Sequence, residues 1–252
     1  MSKKDSLGDR MKGYEAIPKA KLMKRTPVII RIDGKAFHTW TKQLKKIDFG
    51  LQDDPFSDIM NVAMTETTRL LIENVQNAVL GYTQSDEISI LINDWKKLET
   101  SQWFDNSIQK MASVAASMST AYFNNTFASG NVTPAMFDAR VFNLPKEEVT
   151  NYFIWRQQDA SRNSVQMLGR HYFSHKQMHE KNVSQIQDML MEDHGVNWNN
   201  IDTWKRRGTC VERVVARVTD GEPETEVRVD REIPIFTQDR EYVDKHLEAQ
   251  ES

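Results

Sequence analysis

The chain of 252 residues has one cysteine, Cys210, so it can form no internal disulfide and has no cysteine cluster to ligate a metal. No apolar run approaches the roughly 18 residues a membrane-spanning helix needs. Met1-Ser2-Lys3-Lys4 has the charge of a secretion signal, but no apolar stretch follows it. These absences predict a protein of the reducing cytoplasm without membrane association. An excess of basic charge is missing too, since the net charge is −3. That balance does not exclude nucleic acid, because binding depends on patches rather than averages. Basic residues gather at Lys3, Lys4, Arg10, Lys12, Lys19 and Lys21 and again at Lys205-Arg206-Arg207, whereas Asp220 to Glu232 is acidic. Each run also fits plain solvated surface.

The composition, 39% apolar and 27% charged, is that of a globular chain long enough for one large domain or two modest ones. Residues 27–33 (PVIIRID) read as a strand closed by Asp-Gly. A helix should follow, with Asp54 as N-cap, Pro55 at its first position, and Met60, Ala63, Met64, Thr67 and Leu71 on one face. Residues 77–82 and 87–92 read as two strands joined through Thr83-Gln84-Ser85-Asp86. A long Ala/Ser/Met-rich helix is expected from Asp105, then a strand over 137–144 stopped by Pro145. The order β-α-β-β-α-β predicts an α+β fold with a ferredoxin-like core. In that arrangement the first and third strands are antiparallel neighbours, so Asp33 should meet Asp86 and Glu87 at one sheet edge.

Carboxylates converging on one point repel unless a proton or cation lies between them. An all-oxygen site favours Mg²⁺, with its remaining ligands from water and substrate phosphates. Two such ions, about 3.5–4 Å apart, would suit phosphoryl or nucleotidyl transfer. Gly34 would let the backbone approach phosphates and could add its carbonyl as a ligand. Lys35 and His38 follow within reach of a polyphosphate, as do Lys42, Lys45 and Lys46 if the loop folds over the site. The same residues are also compatible with two structural turns, because Asp-Gly and Ser-Asp are common turn dipeptides.

RIDGKAFHTWTK (31–42) followed by YTQSDEISIL (82–91) resembles the tRNA(His) guanylyltransferase family, in particular its guanylyltransferase-like 3′-to-5′ polymerases. The similarity continues through RMKGYE (10–15), WFDNSIQKMASVAASMSTAYFN (103–124), FDARVF (137–142), WRQQDASRNS (155–164), WKRRGTC (204–210) and EIPIFTQDR (232–240). The resemblance implies a polymerase-like palm over 1–145 and, packed on it, an RNA-contacting and oligomerisation region over 146–252. It implies that Asp33, Asp86 and Glu87 are catalytic, with two Mg²⁺ held by Asp33, Asp86 and the Gly34 carbonyl. Gly34, Lys35, Ala36, Phe37, His38 and Ser85 would hold nucleotide, with Lys42 and Lys46 beside them. ATP, GTP and other nucleoside triphosphates are the implied substrates, tRNA the implied partner and a homotetramer the implied assembly. The implied reaction adds nucleotides to an activated 5′ end.

One stretch departs from the family pattern. The branch that recognises tRNA(His) carries His-Ile-Asn-Asn-Leu-Tyr-Asn where this chain has Ala160-Ser161-Arg162-Asn163-Ser164-Val165-Gln166. Template-dependent repair of 5′-truncated tRNA is therefore the expectation over strict tRNA(His) recognition. A helix through this region would turn Ile154, Ser161, Val165, Leu168 and Tyr172 inward and leave Arg156, Asn163 and Arg170 opposite. Those three, with Arg162, Arg206 and Arg207, are the candidate RNA contacts, though a plain solvated face reads the same way. His171, His175 and His179 have a zinc-compatible spacing with no acid or cysteine to complete a site. Residues 210–230 read as a partly solvated hairpin turning at Asp220-Gly221-Glu222.

Overall fold

The computed structural model describes residues 6–44, 55–95, 98–127, 132–219 and 222–248. Helix α1 (Leu7–Ala16), capped by the Ser6 hydroxyl, leads into β1 (Val28–Gly34) and then α2 (Phe37–Leu44). After these come α3 (Asp58–Asn74), the hairpin of β2 (Ala78–Gln84) and β3 (Glu87–Ile92), α4 (Ile108–Thr126) and β4 (Phe137–Asn143). The strands pair in the order β4-β1-β3-β2, all antiparallel, as the sequence order predicts for a ferredoxin-like unit. Sequence patterning predicts neither α1 nor α2. The second forms because Phe37, Trp40 and Leu44 recur on one helical face and bury together.

Both faces of the sheet are covered, which is why β1 and β3 read as nearly continuous apolar runs. Ile30, Ile32, Ile88 and Ile90 pack with Met64, Leu71, Met111 and Phe123 of α3 and α4. Ile29, Leu80, Tyr82 and Leu91 face the other way, onto α5 (Lys146–Tyr172) and Ile233 and Phe236. Burying one such side chain contributes about 1.5–3 kcal/mol, so the two layers pin the register. That register sets Asp33 opposite Glu87 on β3 and opposite Asp138 on β4.

Beyond α5 lie α6 (His175–Met178), α7 (Val183–His194) and α8 (Thr203–Arg207). The end of α5 buries Val165 and Leu168 against Ile186 and Leu190 of α7 in a third cluster. The expected hairpin is present as β5 (Thr209–Thr219) and β6 (Glu222–Asp230), followed by α9 (Glu241–Asp244); its predicted turn at 220–221 lies outside the described residues. Contrary to expectation, β5 is no satellite ribbon: it pairs with β2 and extends the core sheet, burying Cys210. A boundary at residue 145 therefore cuts through one continuous sheet.

Helix ends and faces differ from their expected positions for local reasons. Ser57, not Asp54, caps α3, its hydroxyl accepting from the Met60 amide at 3.3 Å; Asp54 lies outside the described residues. Helix α4 starts after Asp105, because Phe104, Asp105 and Asn106 have φ of 51°, 51° and 56°. This left-handed turn is held by ion pairs of Asp105 with Lys21 and Lys24 and by the buried Asn106 amide donating to the Met23 carbonyl. On α5 the buried face is rotated from the predicted one: Arg156 and Gln157 are inside, whereas Tyr172 is 38% exposed. Polar partners pull these residues in. Gln157 donates to the Pro234 carbonyl and accepts from the Phe236 amide, both at 2.9 Å.

Candidate active site

Ser85 and Asp86 form the two-residue turn between the paired Gln84 and Glu87, with Ser85 at φ 51°. The Gly34 amide donates to the Asp86 carbonyl at 3.0 Å, tying this turn to the end of β1. The Ser85 hydroxyl donates to Asp86 Oδ1 at 3.1 Å. Burial, and next the Asp33 carboxylate, push the Asp86 carboxyl above its ordinary range. Two acids remote in sequence thus press on each other at the sheet edge, as the strand order predicts. Asp138, which sequence reasoning passed over, flanks Asp33 on the β4 side.

Glu87 does not join them as a free carboxylate. It is 5% exposed and accepts from Arg156 Nη1 at 2.9 and 3.2 Å, with Arg31 as a second ion-pair partner. Burial raises this carboxyl, and the two guanidiniums act against that shift. The expected catalytic role of Glu87 gives way to an anchor that joins β1, β3 and α5. Arg156, expected on an RNA-facing surface, is 3% exposed and belongs to this anchor. Alternation along β1 could have flagged Arg31, because a charged side chain in a strand covered on both faces must find an opposite charge.

In the Gly34–His38 segment, the Lys35 amide donates to the Met136 carbonyl at 2.8 Å. Ala36, at φ 55°, offers its carbonyl to the Thr39 and Trp40 amides and so opens α2. The Phe37 and His38 amides precede these bonds at the start of α2, which makes this end of the helix suited to an anion. Phe37 contributes backbone only: its ring is buried 5.1–5.4 Å from Trp40, Phe123 and Phe137. That ring also explains Gly34, where a Cβ would lie 2.3 Å from the Phe37 ring. Lys35, His38 and Lys42 are exposed, the last two one turn apart on α2. Lys45 and Lys46 lie outside the described residues.

Among the described residues no three His, Cys, Asp or Glu side chains group to hold a metal. A divalent ion at this edge would have Asp33, Asp86 and backbone oxygen from the protein, with the balance from water and phosphates. Such a donor set fits Mg²⁺, which is commonly held through one or two carboxylates and a nucleotide. The mutual repulsion of Asp33 and Asp86 fits a cation there as well.

The remaining candidates divide. Arg162, Asn163 and Arg170 are exposed on α5, Arg162 lying 3.6 Å from Asp159. Arg206 and Arg207 end α8 immediately before β5, whose Thr209 pairs with Thr83, so they stand at the same sheet edge as the carboxylates. Gly208 makes the junction possible: its φ is +86° and a Cβ would lie 2.6 Å from the Thr83 carbonyl oxygen. Arg162, Arg206 and Arg207 line one groove of about 400 Å³ together with Trp198 and Asn199. Burial and the Arg206 charge depress the Arg207 guanidinium, and an anion in the groove would relieve that repulsion. His171, His175 and His179 are exposed and form no ligand group.

A family model described as tRNAHis guanylyltransferase matches residues 8–145, more than half of the chain. A bacterial tRNA(His) guanylyltransferase (Thg1)-like protein, solved in complex with ATP, is 44% identical with a TM-score of 0.87, covering 97% of this chain and 100% of its own. A second such structure, in complex with GTP, is 41% identical with a TM-score of 0.79, covering 96% and 99%. An uncharacterised protein of Acanthamoeba polyphaga mimivirus is 29% identical over 235 residues, 83% of this chain and 77% of its own length. The probable tRNA(His) guanylyltransferase of Drosophila melanogaster is 28% identical over 201 residues, 74% of this chain and 66% of that protein. With the fold, the edge carboxylates and these similarities together, the chain belongs to the tRNA(His) guanylyltransferase family.

Proposed function

We propose that this protein is a Mg²⁺-dependent nucleotidyltransferase that adds nucleotides to the 5′ end of tRNA in the 3′-to-5′ direction, copying the opposite strand to repair truncated ends. The observation that carries this is the meeting of Asp33 and Asp86 at one sheet edge, beside the opening turn of α2. Bound Mg²⁺ would neutralise phosphate charge and favour the attacking hydroxylate. The chain's own part is placement. Asp33 and Asp86 would hold the Mg²⁺ through which the reacting phosphates are fixed, while the Phe37 and His38 amides, Ser85, the His38 imidazole and the cations Lys35 and Lys42 receive a triphosphate. Arg162, Arg206 and Arg207 hold RNA phosphates in the adjoining groove. The 3′-hydroxyl of the incoming nucleotide attacks the activated 5′ phosphate, and pyrophosphate or AMP leaves according to how that end was activated. The ATP and GTP complexes of the bacterial relatives support nucleotide triphosphates as substrates. Assembly as a homotetramer belongs to the same reading.

The test supplies purified protein, Mg²⁺ and all four nucleoside triphosphates to tRNAs lacking their first nucleotide, with each base in turn opposite the gap. Addition of the complementary nucleotide in every case is expected. Addition of G to tRNA(His) alone would replace repair by strict tRNA(His) guanylylation. No incorporation, with RNA binding intact, would make the protein a non-catalytic RNA binder on the same fold.

A further inference from the structure

Trp155 projects from α5 toward Arg31, two positions before Asp33 on β1, and is 50% exposed. Its indole is nevertheless held in place. The Arg156 guanidinium carbon lies over the ring at 3.6 Å from its centroid, Arg31 at 5.7 Å, and Tyr152 meets it edge-on at 5.9 Å. Both arginines are tied to the buried Glu87, so the ion pairs that anchor α5 to the sheet also fix the indole. Arg156 also pairs with Asp159 at 3.4 Å, so the two guanidiniums are matched by two carboxylates and the half-exposed indole lies over a locked ion-pair network.

The surroundings connect this indole to the site. Arg31 precedes Asp33 by two positions on the same face of β1. Across the register, Arg31 meets Arg140 and Asp33 meets Asp138, both exposed on β4, an outer strand of the described sheet. Along α5, Arg162 follows Trp155 by seven residues, two turns or about 10.5 Å further on the same side. Arg162 lines the arginine groove. Cationic groove, indole and carboxylates therefore follow one another along one side of the molecule.

We propose that Trp155 is a stacking platform for an unpaired nucleobase of the RNA, next to the 5′ end held at Asp33 and Asp86. The proposal rests on the reading of this edge as a site acting on RNA. Stacking suits an enzyme that copies whatever base is opposite, because every base presents an aromatic face and no hydrogen-bonding edge is read. Arg162, exposed two turns further along the same side of α5, would attract the flanking phosphates.

The test uses two RNA hairpins that imitate an acceptor stem: one with a 2-aminopurine left unpaired opposite a missing 5′ nucleotide, the other blunt. Wild-type protein should quench the 2-aminopurine fluorescence on binding. Trp155→Ala should abolish the quench and weaken binding of the overhanging hairpin roughly ten-fold or more, with the blunt hairpin and ATP bound as before. Trp155→Tyr should retain the quench, and Trp155→Leu, which still covers the arginines, should lose it. Quenching and affinity preserved in Trp155→Leu would reduce the indole to a cover over the ion pairs and overturn the proposal. Wild-type protein that binds neither hairpin would instead overturn the RNA reading of the site itself.

Discussion

Asp86 is the residue where the proposed site opposes the stability of the fold. Burial and Asp33 raise its carboxyl above the ordinary 3.8, so the folded chain binds that proton more tightly than the unfolded chain. Its ionisation weakens the fold progressively as pH rises from the ordinary carboxylate value through the raised folded-state one. Asp86→Asn should therefore melt at a higher temperature than wild type at pH 7. The two melting curves should converge as pH falls below the ordinary carboxylate range, which thermal melts across a pH series check. The same substitution, like Asp33→Ala, should lower 5′ addition more than about 100-fold, exceeding the loss typical of residues that only support metal ligands. Added Mg²⁺ should raise the melting temperature of wild type and not of Asp33→Ala. Unimpaired addition by both variants would remove these acids from the reaction.

Single elements place these residues, and two contacts test that placement. A methyl group at Gly34 would meet the Phe37 ring at 2.3 Å within a packed aromatic cluster, so the start of α2 must shift. Gly34→Ala should cost about 1–3 kcal/mol, a drop of several degrees in melting temperature, and raise the KM for nucleotide through the displaced first turn. The second contact is the Arg156–Glu87 pair. Arg156→Ala leaves the buried Glu87 with Arg31 alone and should destabilise by about 3 kcal/mol or more. Glu87→Gln added to Arg156→Ala should recover part of that loss, as denaturant melts in a double-mutant cycle would read. A strictly additive result would mean that the pair does not anchor α5. Element order was legible in the chain because β1 and β3 are short β-branched apolar runs bounded by turn residues, and α4 carries a helical periodicity. The inward rotation of α5 was not, because Arg156 and Gln157 are buried by partners 69 and 79 positions away.

Across the whole molecule, the segment matched by the family model does not close a core by itself. Residues 8–145 contain β1 to β4, but the face formed by Ile29, Leu80, Tyr82 and Leu91 is covered from beyond them by Val149, Phe153, Ile233 and Phe236. Strand β2 also depends on β5 for its second neighbour. A fragment ending at residue 145 should expose that apolar face and an unpaired β2 edge, and so bind a hydrophobic dye and aggregate. A monomeric fragment with a cooperative melt would overturn this account and restore a boundary at 145.

The sequence by itself determined the order of elements in the ferredoxin-like core and the juxtaposition of Asp33 with Asp86, since alternation and strand order propagate through a sheet of fixed register. Its motifs also carried the family resemblance. Only the tertiary structure decided which charged groups are buried and which face a groove. Glu87 and Arg156 neutralise each other in the interior, whereas Arg162, Arg206 and Arg207 converge on an open groove. The physical reason is that the fate of a charge depends on burial and on partners distant in the chain. Local periodicity contains neither.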